Sequence, residues 1–269
     1  MKKRITFFLI SLLMPGIGYL RLKESGKFYV TIVLFYSTVI VGSVLRLYPT
    51  FSGFVIILLS LLAIHVGTAA HAAMRRHKSR PPAANGLLKW AFTSIFFALT
   101  VTSFGHSRTV MGFDRVSMAV QVMEPEIMPG EQLLVDSWAY KSDDPERGDI
   151  VIHSFSGQVG IFLNRIIAVG GDTIEIKEGD LFINGVLKKE DYVSRKNVTK
   201  AESTCMPSMV VPINDYFVMG DNRDKSFGDS RFNGTIHANQ IKGKVTCILY
   251  SSEIYRLGKR FSGDIFPEL

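Results

Sequence analysis

Cysteine is scarce in this sequence of 269 residues, which contains only Cys205 and Cys247. The two form no CxxC pair and the six histidines are scattered, so the spacing predicts no metal site, and we expect no cofactor. A disulfide between the two cysteines and a pair of buried free thiols remain open alternatives. Sequence alone does not give the Cα separation that decides between them.

Acidic residues are nearly absent from the front of the chain. The first 107 residues contain one acid, Glu24, against 12 Lys and Arg, whereas the remaining residues contain 23 acids against 19 Lys and Arg. The net charge of +7 therefore originates in the front third. No basic stripe interleaved with aromatic residues follows, so the charge indicates membrane topology signals and argues against a nucleic-acid surface.

The same front third contains apolar runs long enough to cross a membrane. We predict transmembrane helices at about residues 28–45, 51–73 and 88–105. A shorter run, residues 5–20, is broken by Pro15 and two glycines, so we predict a re-entrant or short helix there. No small-residue cleavage site follows this run, as it would in a secretory signal peptide.

Positive charges between the second and third predicted spans indicate the orientation of the chain. They are Arg75, Arg76, Lys78, Arg80 and Lys89. By the positive-inside rule this link is cytoplasmic, so the last span runs outward. We therefore predict a multi-pass protein of the cytoplasmic (inner) membrane, with a membrane region at residues 1–107 and an extracytoplasmic domain at residues 108–269.

From residue 108 onward the pattern changes to short apolar runs of period two, separated by Gly, Asp and Asn, which is typical of strands and turns. We predict strands at residues 132–135, 149–154, 161–169, 173–177, 180–183, 216–219 and 244–249. Because these strands follow one another closely, they predict a mainly antiparallel β domain with little helix. The polar segment 190–211 is expected to lie over this core as an insert.

The most distinctive stretch is residues 216–231, YFVMGDNRDKSFGDSR, where a short apolar strand passes into a dense polar turn. Gly220 is expected to supply a positive φ for this turn. The short Asp and Asn side chains can bond to nearby backbone groups, while Arg223 and Arg231 can clamp carboxylates or carbonyls. From this chemistry alone, a structural loop and a functional site are both open.

GDNRD followed by a serine and DSR resembles the last sequence box of bacterial type I signal peptidases, also called leader peptidases. The resemblance extends, in the family's order, through VMEPEIMPGEQLLVD (122–136), RGDIVI (147–152) and NRIIAVGGDTIEI (164–176), and covers roughly residues 116–250. It implies the β fold of signal peptidase I and a role with exported preproteins. The family's enzymes are serine endopeptidases with a Ser/Lys pair.

The two positions that carry the family's chemistry are replaced in this chain. The family's serine nucleophile directly precedes Met-x-Pro, whereas here Val122 precedes Met-Glu-Pro; the family's base lysine precedes an arginine, whereas here Asn164 does. Valine has no nucleophilic atom, and an amide does not accept a proton near neutral pH. The resemblance therefore implies a member of the family without peptidase activity, a pseudoenzyme.

Other elements of the family's site are retained. Ser226 and Asp229 resemble the serine and aspartate that orient the lysine, although Gly228 adds one residue to their usual spacing. Ser117 is an alternative nucleophile, because it forms a Ser-Met pair near the box. Its use would require a displacement of five residues from Met-Glu-Pro.

The resemblance also implies a groove for an extended peptide, with Val120, Val122, Met123 and Pro125 as its peptide-binding residues. Such a groove adds the peptide as a strand to an exposed sheet edge. We therefore expect exported polypeptides or signal peptides, and the lipid bilayer, as partners. Two alternatives stay open: an active signal peptidase that removes signal peptides, and a structural membrane protein without a peptide ligand.

Overall fold

The computed structural model describes residues 8, 15–22, 24–74, 86–117, 119–194, 196 and 198–261. The chain divides into two compact units, Met1–Gly112 and Phe113–Leu269. The described residues of the first unit are mainly helical, and those of the second are mainly β.

The described part of the first unit contains five helices. They are α1 (Ile17–Arg21), α2 (Ser25–Val44), α3 (Phe51–Met74), α4 (Gly86–Gly105) and α5 (Ser107–Val110). Two of them, α2 and α3, are long and apolar enough to cross a membrane. The third predicted span is also helical, as α4, but its apolar stretch covers only Ser94–Ser103. Most of the predicted segment 5–20, and residues 75–85 with four of the five topology charges, lie outside the described residues.

Helices α2 and α3 contact each other through a narrow face. A Cβ at Gly42 would lie 2.6 Å from Cδ1 of Ile57, so a larger residue there would require the Ile57 side chain to move. Helix α1 contacts α3 through a polar pair, in which the Tyr19 hydroxyl lies 2.6 Å from Nδ1 of His71. Much of the remaining apolar surface is exposed, as at Val33 (62%) and Val44 (73%).

The described residues of the second unit form eleven strands. They are β1 (Phe113–Ser117), β2 (Gln132–Asp136), β3 (Ile150–His153), β4 (Phe162–Val169), β5 (Thr173–Lys177), β6 (Asp180–Ile183), β7 (Val186–Lys188), β8 (Met206–Val210), β9 (Asp215–Met219), β10 (Ile236–His237) and β11 (Ile241–Tyr250). Seven form a sheet in the order β1-β2-β11-β3-β4-β9-β10, and four form a sheet in the order β7-β6-β5-β8. All strand pairs are antiparallel. Two short helices, α6 (Ala201–Thr204) and α7 (Ser230–Asn233), lie between strands.

All seven predicted strands are present, as β2, β3, β4, β5, β6, β9 and β11. The four strands that sequence reasoning missed, β1, β7, β8 and β10, are the four edge strands of the two sheets. The segment 190–211, expected as an insert, in fact supplies β8, which pairs with β5. Most of β8 is exposed and it contains Pro207, so it lacks the alternating apolar pattern of a half-buried strand.

The core of the β domain is built from the inward-facing residues of the predicted strands. One cluster contains Met123, Leu133, Ile152 and Val245, each at most 1% exposed.

The two cysteines do not form the disulfide that the sequence left open. Cys205 is exposed and Cys247 is buried, and neither forms a disulfide.

Candidate functional site

The polar turn after β9 lies directly against the backbone of residue 122. Gly220 does not have the expected positive φ, so that prediction is wrong. The glycine is needed for close approach instead: a Cβ there would lie 2.5 Å from the Val122 carbonyl oxygen and would overlap the Ser226 side chain. The Asn222 backbone N–H donates to the same carbonyl at 3.0 Å. The turn and the Met-Glu-Pro box therefore form one site.

A buried ion pair fixes β4 to this turn. Nε and Nη2 of Arg165 donate to the two carboxylate oxygens of Asp221 at 2.9 and 2.7 Å, and both side chains are almost fully buried. Nη1 of Arg165 donates to the Gly148 carbonyl at 2.9 Å, and its guanidinium lies 4.3 Å from the centre of the Tyr192 ring. Because the pair is bidentate, it fixes the residue before Arg165 in position and direction.

The two arginines of the turn itself, Arg223 and Arg231, act as the sequence predicts. Arg223 clamps the carboxylate of Glu190. Nη2 of Arg231 donates to Asp229 at 2.8 Å and to the Arg223 carbonyl at 2.7 Å. Asp229 also accepts from the Arg231 backbone N–H and so caps α7. Among the described residues its carboxylate makes no hydrogen bond to Asn164, and its contacts are those of a structural residue.

Asn164, on β4, is the residue that the sequence resemblance aligns with the family's base lysine, and it is 1% exposed. Its Oδ1 lies 2.9 Å from Nε2 of His153, and its Nδ2 donates to Oγ of Ser226 at 3.3 Å. Because an amide oxygen only accepts, Nε2 of His153 carries the proton. Burial lowers the pKa of His153 to about 4, against the opposing effect of the hydrogen bond to Asn164, so the imidazole is neutral at pH 7.

Sequence reasoning missed His153, which it treated as one of six scattered histidines. The residue ends β3, the strand that pairs with β4, and Val151 of the same strand is the register partner of Asn164. Phe155 and Phe162 pack against the imidazole, with ring centres 4.8 and 5.9 Å away. A polar residue at the end of the apolar run Ile-Val-Ile, next to the strand of the base position, is the signal that could have identified it.

An open cavity of about 580 Å³ lies beside this constellation. Val122 and Asn164 both line it. The complete lining is Val116, Ser117, Ala119, Val120, Val122, Ile152, Ile161, Phe162, Leu163, Asn164, Lys225, Ser226, Phe227 and Gly228. Most of these side chains are apolar, and none of them is acidic.

The predicted peptide-binding residues divide into two groups. Val120, which is 55% exposed, and Val122 line the cavity. Met123 is fully buried and packs into the core, and Pro125 is exposed but is not part of the cavity lining. The structure therefore places the first two at the cavity and the other two away from it.

Ser117, the alternative nucleophile, ends β1 and also lines the cavity. Lys225 lines the same cavity and is exposed. Within the described parts of the chain, no lysine amine is hydrogen-bonded to the Ser117 hydroxyl. The cavity thus contains a serine and a lysine, but the structure does not join them as a catalytic pair.

Comparison with known proteins identifies the family. The model of a family described as signal peptidase, peptidase S26, matches residues 87–250. The chain belongs to this family, and its β domain is of the signal peptidase I type. The matched region contains the residues that line the cavity and the polar turn.

Individual relatives agree with the family assignment. The chain is 30% identical over 142 residues to signal peptidase I P of Bacillus subtilis subsp. natto, covering 51% of this chain and 77% of that protein. It is 33% identical over 137 residues to signal peptidase IB of Staphylococcus aureus (strain Mu50), covering 46% and 71%. A match to a probable signal peptidase I-2 of Synechocystis is 28% identical over 128 residues, covering 45% of this chain and 56% of that protein.

A solved structure, of a signal peptidase I from Enterococcus faecalis V583, is 29% identical to this chain. The match covers 39% of this chain and 98% of the solved chain, with a TM-score of 0.34.

Proposed function

We propose that this chain is a membrane protein that binds extended segments of exported polypeptides, signal peptides among them, without cleaving them. The observation that supports this proposal is that Val122 and Asn164, which the sequence resemblance aligns with the family's serine and lysine, line one open cavity. Valine cannot attack a peptide carbonyl, and the Asn164 amide, hydrogen-bonded to His153 and Ser226, cannot accept a proton.

Two features of the cavity support peptide binding. The cavity is open and its own side chains do not fill it, which does not favour a purely structural protein. It is also lined by Val116 and Ser117 of β1, an edge strand of the larger sheet. An edge strand presents backbone groups to which an extended peptide can add as a further strand. The names of the relatives support a signal peptide or preprotein as the ligand.

A location in the cytoplasmic membrane, with residues 108–269 outside the cytoplasm, is part of the proposal. Helices α2 and α3 are only 28% and 22% buried over their most apolar windows, so most of their apolar surface is available to lipid. The cluster of positive charges from Arg75 to Lys89 supports a cytoplasmic link. Reporter fusions after Leu269 test the orientation, and a fusion active only in the cytoplasm would overturn it.

Peptide binding is tested by titrating the full chain in detergent micelles with fluorescent peptides derived from signal sequences. We expect micromolar or weaker affinity, as for a small transient interface. Val120→Trp should reduce binding by filling the cavity, whereas Val186→Trp, at an exposed position on β7, should leave it unchanged. No binding at millimolar peptide would show that the cavity does not serve this function.

An active signal peptidase is the second candidate, because Ser117 and Lys225 line the same cavity. Incubating the full chain with a preprotein and following its mature form tests this candidate. We expect no product. Cleavage that Ser117→Ala abolishes would establish the peptidase in place of the binding protein.

A further inference from the structure

We propose that the cavity binds the carboxyl-terminal end of an apolar peptide and holds its free carboxylate at Asn164, Ser226 and Lys225. This inference rests on the proposed function and specifies which part of a peptide the site takes. It distinguishes a peptide that ends in the cavity from one that passes through it. A signal peptide already released from its preprotein has such an end.

The first argument is the direction of the hydrogen bonds. The oxygen of the Asn164 amide is occupied by His153, and one N–H of its nitrogen is donated to Ser226. The second N–H remains on a side chain that lines the cavity. Because Oγ of Ser226 already accepts from Asn164, its own O–H is left to donate, and it is given to none of the described residues. The cavity therefore offers two hydrogen-bond donors, the second N–H of Asn164 and the O–H of Ser226.

The second argument is charge. Lys225 is exposed, lines the cavity and forms no ion pair with the described residues. The acid next to it in sequence, Asp224, is engaged elsewhere, since its carboxylate accepts from the backbone N–H groups of Thr199 and Lys200. With one cation and no acid in its lining, the cavity is complementary to an anion, and a peptide supplies one only at its carboxyl end or on an acidic side chain.

The third argument is the chemistry of the walls, which selects between these two sources of a carboxylate. Val120 and Val122 lie on the wall, together with Ile161 and Phe227, which are 64% and 61% exposed. Apolar walls favour an apolar side chain beside the carboxylate. A terminal residue such as alanine, valine or leucine carries both groups on one Cα, whereas an acidic side chain does not.

The experiment compares two peptides of one apolar sequence, one with a free terminal carboxylate and one with a terminal amide. Binding of each to the full chain in detergent micelles is followed by fluorescence anisotropy. We expect the peptide acid to bind about tenfold more tightly than the peptide amide. Hydrogen bonds from the Lys225 ammonium, and from the neutral donors of Asn164 and Ser226, are stronger to a carboxylate than to an amide. The amide should retain the weaker binding that the apolar walls supply.

Three variants locate the carboxylate. Lys225→Gln removes the cation at an exposed position and should reduce the preference for the acid severalfold. Asn164→Asp replaces the donor by an acceptor of the same shape and should abolish it. Lys189→Gln removes an exposed lysine that pairs with Asp191 and lines a different cavity, so the preference should be unchanged.

The outcomes separate this inference from the proposed function. Equal affinity for the acid and the amide would overturn the carboxylate site and leave peptide binding intact. Failure of both peptides to bind would overturn both proposals. A preference that persists in Lys225→Gln and in Asn164→Asp would mean that the carboxylate is held elsewhere, which also overturns the inference.

Discussion

The Nε2 atom of His153 donates a hydrogen bond to Oδ1 of Asn164 across 2.9 Å, and both side chains are buried. We propose that Asn164 stands at the position of the family's base lysine, the amine that takes a proton from the serine. Here a neutral imidazole fixes an amide, whose nitrogen is directed to Ser226. The Asn164 side chain therefore accepts one hydrogen bond and donates another, and an amide in this arrangement does not act as a base.

The buried imidazole predicts a loss of stability at mildly acidic pH. The pKa of His153 is about 4 in the folded chain and about 6.5 in the unfolded chain, so the unfolded chain binds the proton first. The contribution of His153 is complete above pH 6.5 and is lost as pH falls toward 4, by about 3 kcal/mol. Chemical unfolding between pH 7 and pH 4 should show this loss for the wild type and not for His153→Gln, which retains a donor for Asn164. Equal pH dependence of the two proteins would contradict the prediction.

Restoring the family's pair should restore trace activity. In Val122→Ser with Asn164→Lys, the new amine lies beside Oγ of Ser226, the present partner of the amide, and burial lowers its pKa so that it can act as a base. We expect measurable preprotein cleavage by the double variant and none by either single variant, because nucleophile and base act as a unit. Adding Ser226→Ala should reduce that cleavage. An inactive double variant that binds peptide normally would show that the cavity no longer aligns a scissile bond.

The sequence was sufficient for the interior of the fold and insufficient for its edges. Strands such as β4 and β9 are buried over most of their length, so they are continuous apolar runs bounded by turn residues. The edge strands β7 and β8 are mostly exposed, and their side chains follow no apolar period. Their pairing is decided by the neighbouring strand, which a local pattern does not contain.

The candidate site, like the fold, was predicted only in part from the sequence. Arg223 and Arg231 clamp carboxylates as predicted, whereas the contact of the polar turn with the Met-Glu-Pro box was not predicted. The role of His153 did not follow, because it depends on the register of β3 against β4. The reason for Gly220 was also missed, since a glycine required for close approach and one required for positive φ are identical in sequence.

The buried pair Arg165–Asp221 should be more important to stability than any surface pair. Arg165→Met leaves the Asp221 carboxylate without its bidentate partner in an environment closed to water. We expect a loss of about 3–5 kcal/mol in the free energy of unfolding. The matched control is Lys177→Met, which breaks the exposed pair with Glu175 and should cost less than about 1 kcal/mol. Similar losses in the two variants would show that the buried pair is not an anchor of β4.

The contact at Gly220 predicts that one added methyl group will separate the turn from the Met-Glu-Pro box. In Gly220→Ala the new Cβ would lie 2.5 Å from the Val122 carbonyl oxygen, and because this is a backbone atom it can move only with the chain. We expect a loss of about 1–3 kcal/mol, typical of overpacking, together with faster hydrogen exchange at the Asn222 amide, which donates to that carbonyl. Adding Ser226→Ala should not restore stability, because the clash with the carbonyl remains.

Gly157→Ala is the control. The φ of Gly157 is 76° and no atom lies within 4 Å of the added Cβ. This variant should therefore lose about 1 kcal/mol of stability from backbone strain and leave the Asn222 amide protected. Unchanged protection of Asn222 in Gly220→Ala would show that the turn and the box are not held together at this point.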